Sequence, residues 1–152
     1  MEFVILDTGD AARFAGKLDE SAINAENFEA PIKLIKADIL KIERAVFSSG
    51  GRRGGGSWKG LADSTIKKKG SVQILRETDA LYDSMTQPGA AWQILEVTPT
   101  TMVFGTNRPW AAVHQYGNSH TPARPFLRIL PIDVNRWARM LLTHLTEMFR
   151  TE

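Results

Sequence analysis

The sequence predicts an α+β domain in which a small antiparallel sheet packs against two longer amphipathic helices. Two long segments place apolar residues at every third or fourth position, which is the spacing of one buried helix face. Residues 91–97 and 101–104 are rich in aromatic and β-branched side chains, and the short connection between them suits a β-hairpin. The apolar helix positions are Ile32, Ile35, Ile39, Ile42 and Val46 in the first segment and Val134, Trp137, Leu141, Leu145, Met148 and Phe149 in the second.

The elements before the hairpin follow from local signals. Phe3–Leu6 is a short apolar run typical of a strand, and residues 10–19 show a weak helical pattern. The first long helix begins at Pro31, a residue favoured in a first helical turn, and ends before Gly50. The chain is therefore expected to open with a strand and a marginal helix.

Two short helices are expected on either side of the hairpin. A helix over residues 79–86 carries acidic residues in its first turn, where they suit the helix dipole. A second, over residues 109–116, is ended by Gly117. A chain of 152 residues is usually one domain, so we expect a single domain over residues 1–152.

The segment from residue 48 to residue 57 interrupts this pattern. It contains five glycines in ten positions, and ordering glycine costs more backbone entropy than ordering any other residue. The sequence therefore predicts a flexible Gly-rich loop. A P-loop would need a lysine directly after the second glycine, and the nearest lysine, Lys59, is misplaced, so no nucleotide or other cofactor is expected.

Charge is distributed unevenly along the chain. Residues 1–30 hold seven acidic and two basic side chains, a balance of −5, whereas residues 50–76 hold seven basic side chains and one acidic, a balance of +6. Such asymmetry has three interpretations: attraction between copies of the chain, binding of the basic part to nucleic acid, or two solvated faces without a partner. The residues open to DNA or subunit contact are Arg52, Arg53, Lys67, Lys68 and Lys69.

Other function classes find little support. The chain has no cysteine, no apolar run of the ~20 residues that cross a bilayer, and no signal-peptide pattern, so we expect a soluble intracellular protein without membrane contact. Its three histidines lack the regular spacing of zinc ligands, so no metal is expected. His114 has no carboxylate near it in sequence, and no Gly-x-Ser-x-Gly motif occurs. A hydrolase using His114 is the weakest alternative, and we predict that the protein is not an enzyme.

The most distinctive segment runs from Phe104 to Leu127. Within it, Pro122-Ala123-Arg124-Pro125-Phe126 fixes the backbone at two prolines and presents Arg124 on a stiff support. An arginine in such a place indicates a carboxylate or carbonyl partner, and Phe126 fits either the core or a neighbouring subunit. Trp110 and Tyr116 favour the core, with an interface as the alternative.

Together these segments resemble the phage virion morphogenesis family, the tail-completion proteins similar to the G protein of phage Mu. The most specific part is an aromatic-Ala-x-x-His-Gln-aromatic-Gly segment followed by Pro-Ala-Arg-Pro-Phe-Leu. Order and spacing agree over about residues 32–150, whereas residues 1–30 match no motif and form a variable N-terminal segment. Asp79 stands where the family usually has glycine, and Trp110 where tyrosine is usual. The matching residues are Trp58, Leu61, Thr65, Lys69, Ile74, Leu75, Thr78, Leu81, Ser84, Gly105, Thr106, Trp110 to Gly117 and Pro122 to Leu127.

The resemblance implies a structural virion protein of the phage tail or neck, assembled in the host cytoplasm. It implies a ring of copies, hexameric by the family expectation, that joins tail terminator or tail tube proteins to the head connector. The alternative is a DNA-contacting accessory protein of the same particle, with non-specific contact in the channel. The interface residues expected on this basis are Trp110, His114, Gln115, Tyr116, Arg124 and Phe126.

Overall fold

The computed structural model describes residues 2–7 and 28–148, and within them the chain is α+β, as predicted. The strands are β1 (Glu2–Asp7), β2 (Gln93–Val97) and β3 (Thr101–Thr106). The helices are α1 (Glu29–Ser48), α2 (Asp63–Lys69), α3 (Ala80–Thr86), α4 (Ala111–Tyr116) and α5 (Pro131–Met148).

The sheet is antiparallel with β3 in the centre, in the order β1-β3-β2. The predicted hairpin is confirmed, with Val97 paired to Met102 next to the turn. Strand β2 begins later than expected, at Gln93, because Trp92 takes a left-handed backbone conformation at φ 70°. On the other edge β1 contains an irregularity between Val4 and Leu6, typical of a β-bulge.

The two long amphipathic helices are also confirmed, and they supply much of the core. They bury most of the predicted stripe, with Ile32, Ile35 and Ile39 on α1 and Trp137 on α5 having no exposed surface. The predicted core position Val134 is wrong: it is 49% exposed, because the first turn of α5 faces Asp133 inward instead. Polar contacts also hold α5 against α1. The Asp38 carboxylate accepts hydrogen bonds from the Trp137 indole N–H at 2.7 Å and from the Arg136 guanidinium at 2.6 Å.

The remaining core comes from the sheet and the loops. Phe104 of β3 and Phe126 are fully buried. Phe47, at the end of α1, lies among three aromatic rings, with centroids 5.5 Å from Trp58, 5.4 Å from Tyr82 and 6.2 Å from Phe126. Such contacts add to the free energy gained from burial, so the loop containing Trp58 and the corner containing Phe126 share one core.

Helix α2 was not predicted. It has seven residues and none of them is buried, so no apolar periodicity marks it in the sequence. The predicted helix over residues 10–19 and the last predicted core position, Phe149, lie outside the described residues. Within the ranges given above, none of the helices has the length and apolar character needed to cross a bilayer.

The structure does not show the flexible loop that was predicted for residues 48–57. It holds this segment in a defined turn that includes a short 3-10 helix at Arg52–Gly54. The Arg53 guanidinium reaches the buried Asp133 carboxylate at 2.6 Å, an ion pair across 80 positions of sequence. Gly51 has φ 88°, and a Cβ there would lie 2.5 Å from the Trp58 ring. The glycines therefore allow a tight turn and close packing, and the ion pair offsets the entropy cost of ordering them.

Candidate functional site

One buried side chain, Gln115, joins helix α4 to the segment from Pro122 to Leu127, which we name the proline-rich corner. Its Nε2 donates to Leu127 O at 2.8 Å, and its Oε1 accepts from the backbone N–H groups of Phe126 at 3.0 Å and Leu127 at 3.1 Å. The side-chain amide thus satisfies backbone groups that would otherwise be buried without partners. Gln115, expected at an interface, holds the unit together from inside.

The turn between α4 and the corner depends on Gly117. Its φ of 73° favours glycine, and a Cβ at this position would approach Ala123 N to 2.7 Å. Asn118 closes the turn, since its Oδ1 accepts from the backbone N–H groups of His120 at 2.9 Å and Thr121 at 2.7 Å. The helix and the corner therefore form one rigid unit.

Arg124 lies inside this unit rather than on an outward support. Only 7% of its surface is exposed, and its backbone N–H donates to His114 O at 2.7 Å. Its Nε donates to Lys59 O at 2.9 Å and its Nη2 to Gly60 O at 3.2 Å. The carbonyl partner expected from the sequence therefore belongs to the same chain. A contact between Arg124 and another subunit stays a prediction.

The aromatic residues divide between inside and outside. Phe126 has no exposed surface and packs in the core. The preferred core interpretation of Trp110 and Tyr116 is wrong, because their exposed fractions are 74% and 63%. Helix α4 buries Ala111 and Gln115, which lie four positions apart on one face, and this turns the flanking aromatic residues outward.

His114 is half-buried, and its Nδ1 is fully buried without a hydrogen-bond partner among the described residues. Burial lowers the pKa of the imidazole, and the positive charge of Arg124 lowers it further. The ring is therefore neutral at pH 7. Within the described parts of the chain, no group of three or more histidine and carboxylate side chains is placed to hold a metal ion.

An open cleft of about 500 Å³ lies between α2, the segment leading into α3, and α4. We name it the Arg124 cleft. Three of its lining residues, Leu75, Asp79 and Trp110, have positive φ angles of 58°, 55° and 69°. Non-glycine residues in this conformation carry strain, and such strain concentrates at functional sites. The charged or aromatic lining residues are Lys69, Glu77, Asp79, Arg108, Trp110, His114 and Arg124.

The structure divides the predicted basic contact set. Arg53 is paired with Asp133, and the Lys69 ammonium donates to Gln73 O, so both have partners within the chain. The other three, Arg52, Lys67 and Lys68, are exposed. The cations that remain available for a partner are therefore fewer than the composition indicates.

One buried ionisable residue, Glu43, escaped the sequence analysis. It has no exposed surface, and neither carboxyl oxygen has a hydrogen-bond partner among the described residues. Burial raises the pKa of this carboxyl group well above 4.5, and the nearby charge of Arg53 offsets only part of that rise. Its position, four residues after Ile39 and three before Val46, already places it on the buried face of α1.

The comparisons with known proteins agree with the resemblance found in the motifs. The family model described as the phage virion morphogenesis family matches residues 8–146, a range that begins upstream of the matched motifs. The comparisons with curated proteins and with solved structures gave no match. The match includes α4, the corner and the residues around the Arg124 cleft, and it spans most of the chain. The chain therefore belongs to the phage virion morphogenesis family.

Proposed function

We propose that this protein is a non-enzymatic tail-completion or neck protein that forms a ring joining the phage tail to the head connector. Family membership supports a role in building the virion. The finer role rests on one structural observation: Trp110, directly before α4, and Tyr116, at its end, are exposed on a unit that is fixed internally. Large aromatic side chains held on a rigid base gain contact area at little entropic cost, and they dominate many protein interfaces.

A structural role also suits the environment of His114. A catalytic base needs a partner that orients its ring, and the buried Nδ1 of His114 has no hydrogen-bond partner among the described residues. His114 has a structural role through its backbone, because its carbonyl group accepts a hydrogen bond from the backbone N–H of Arg124.

Ring assembly requires two different surfaces on each copy, because neighbouring subunits in a ring meet head to tail. The exposed face of α4 is one candidate surface. The acidic balance of residues 1–30 and the basic balance of residues 50–76 give copies of this chain complementary charge. Tail terminator or tail tube proteins on one side and head connector proteins on the other are the proposed neighbours.

The exposed cations favour a second candidate, an accessory role in contacting DNA within the same particle. Arg52, Lys67 and Lys68 have the exposure that phosphate contacts require. Replacing all three by alanine tests this alternative in a duplex binding assay. A steep loss of binding with added salt that disappears in the triple variant favours DNA contact, and salt-independent or absent binding contradicts it.

The proposed function is tested by particles made without the protein. Electron microscopy is expected to show complete heads and complete tails that remain separate. Complementation with a Trp110→Ala, Tyr116→Ala double variant is expected to leave them separate, whereas Trp92→Ala restores joining. Trp92 is a matched control because, like Trp110, it is exposed and has a positive φ, but it precedes β2 rather than α4. Normal infectious particles from the double variant would exclude α4 as the docking surface.

A further inference from the structure

We propose that the Arg124 cleft binds a carboxylate-bearing segment of a partner polypeptide. Arg124 and His114 would recognise the carboxylate, and Trp110 would contact the apolar side chains of the segment. The inference rests on the proposed docking function and names the chemistry of what docks. It follows from an arginine that is buried without a counter-ion beside an open cavity.

Arg124 supplies the charge argument. It is 7% exposed, and no carboxylate of the described residues forms an ion pair with it. Two of its guanidinium nitrogens are bonded to the carbonyl groups of Lys59 and Gly60, which leaves Nη1 without a hydrogen bond among those residues. Buried arginines are normally paired with acids, because an unpaired charge is costly to remove from water. A partner carboxylate would complete this pairing.

His114 lies in the same cleft and feels the same charge. Arg124 and burial together disfavour the imidazolium form. A carboxylate placed between the two groups would reverse this balance, because an opposite charge nearby favours protonation. The other ionisable lining groups are Lys69 and Arg108, which add positive charge, and Glu77 and Asp79, which oppose it. Asp79 is already paired with Arg76 at 2.7 Å.

The mixed charge of the lining favours a peptide over nucleic acid. A phosphate backbone carries charge at every nucleotide, so it would bring several negative groups close to Glu77 and Asp79. A peptide brings one carboxylate to Arg124 and can place apolar side chains against Trp110, whose exposed fraction is 74%. The combination of one cationic pocket and one aromatic wall is therefore matched by a short acidic and apolar segment.

The test is a titration of the full chain, observed through the imidazole signals of His114 in NMR spectra. The probes are the capped tripeptides acetyl-Leu-Glu-Leu-amide and acetyl-Leu-Gln-Leu-amide, and a short DNA duplex. The glutamate peptide is expected to shift the His114 signals and to raise the pKa of His114. The exposed His120 is the internal control, and its imidazole signals should not move when the peptide is added. The glutamine peptide at the same concentration should leave His114 unchanged.

Two surface variants give the matched comparison. Trp110→Ala is expected to weaken binding of the glutamate peptide about threefold or more, because an aromatic contact is lost. Tyr116→Ala should bind as the wild type does, since Tyr116 is exposed at the other end of α4 and does not line the cleft. Both side chains are exposed, so both variants should keep the circular dichroism spectrum of the parent.

Three results would overturn the inference: equal responses to the two peptides, no response to either, or a response to DNA alone. These results are independent of particle assembly. If the peptides fail while the double variant of α4 still blocks joining, the neck function stands and the carboxylate cleft is rejected. If the peptides bind while that variant assembles normally, the cleft stands and its place in the proposed function is rejected.

Discussion

The Gly-rich turn and the proline-rich corner each contain an arginine that bonds inside the chain, Arg53 and Arg124, but the two charges are satisfied in different ways. Arg53 in the turn forms a salt bridge with the buried Asp133 at 2.6 Å. Arg124 in the corner donates to two backbone carbonyl groups and has no acidic partner among the described residues. The first arginine is neutralised within the chain, and the second is not.

Arg53 therefore makes a structural contact within the chain, whereas Arg124 can still bind a negatively charged group. Arg53 stabilises the join between the end of α1 and the start of α5, where Asp133 also accepts from Arg136 at 2.8 Å and from Leu130 N–H at 3.2 Å. Arg124 opens on a cleft and retains its full charge. Basic composition alone therefore does not identify an interface, and the proposed interface rests instead on a buried cation without a counter-ion beside a cavity.

The largest expected effect comes from breaking the neutralised pair. Asp133→Ala should lower the free energy of unfolding by about 3 kcal/mol, because each hydrogen bond to a charged group contributes about 1.5–3 kcal/mol. Burial tends to raise the pKa of Asp133, but hydrogen bonds from Arg53, Leu130 and Arg136 outweigh it and hold the pKa below 3.8. The contribution is therefore present above pH 3.8 and is lost as the pH falls through the folded-state pKa.

Urea denaturation across the acidic range measures both effects. Asp63→Ala is the matched control, since Asp63 is an exposed aspartate near a helix start, and its loss should change stability by less than about 0.5 kcal/mol. If Asp133→Ala behaves like the control, the turn is held by its glycines and by Trp58 rather than by the ion pair.

The second prediction concerns the rigidity of the corner that positions Arg124. Gly117→Ala should cost about 2 kcal/mol or more, because its backbone conformation is strained for any side chain and its Cβ would meet Ala123 N at 2.7 Å. Gly70→Ala is the control: its φ is 70°, but nothing lies within 4 Å of its Cβ, so only the conformational cost of about 1 kcal/mol remains. Equal losses in thermal denaturation would show that the corner yields to the added methyl group.

The elements with periodic apolar residues could be predicted from the sequence. The stripe from Ile32 to Val46 predicted the first long helix, and aromatic and β-branched side chains around a three-residue connection predicted the hairpin. Helix α2 could not be predicted, because it buries no residue. The glycines indicated the entropy cost of ordering the turn, but not the interaction that offsets this cost. That interaction joins Arg53 and Asp133, which lie 80 positions apart, so local patterns carry no trace of it.

The candidate site was predictable in its residues but not in their orientation. Aromatic type alone placed Trp110 and Tyr116 in the core, and only the burial of Ala111 and Gln115 shows which face of α4 is inside. The arginine between two prolines indicated a polar partner, but its carbonyl acceptors, Lys59 and Gly60, belong to a distant loop. A cleft formed by three separate segments requires the tertiary structure.

Glu43 tests whether an unpaired buried acid weakens the region beside Arg53. The unfolded chain loses this proton near pH 4.5, whereas the folded protein keeps it to higher pH because burial raises its pKa. Stability should therefore fall as the pH rises above 4.5 until the folded-state pKa is passed. Glu43→Met should gain about 1–2 kcal/mol at pH 7, since it removes a buried group without hydrogen bonds.

Glu43→Gln is the control, because it keeps the shape and the polarity of the side chain but cannot titrate. Both variants should lose the decline in stability above pH 4.5 and so gain stability at pH 7, and the methionine variant should gain more because it also removes the buried polar group. Urea denaturation over the pH range from acidic to neutral measures this. A wild-type protein whose stability rises relative to that of the glutamine variant above pH 4.5 would show that Glu43 is ionised and paired in the folded state.

The smallest expected effect concerns the strain at the mouth of the Arg124 cleft. Asp79 has φ 55°, a left-handed conformation that favours glycine. Asp79→Ala should melt about 2–4 °C below Asp79→Gly, because alanine keeps the left-handed strain that glycine relieves. Asp83 lies inside α3, where glycine is less favourable than alanine, so the same two substitutions there should give the opposite order. Differential scanning calorimetry of the four variants compares the two positions. The same order at both would mean that the left-handed conformation of Asp79 does not store strain.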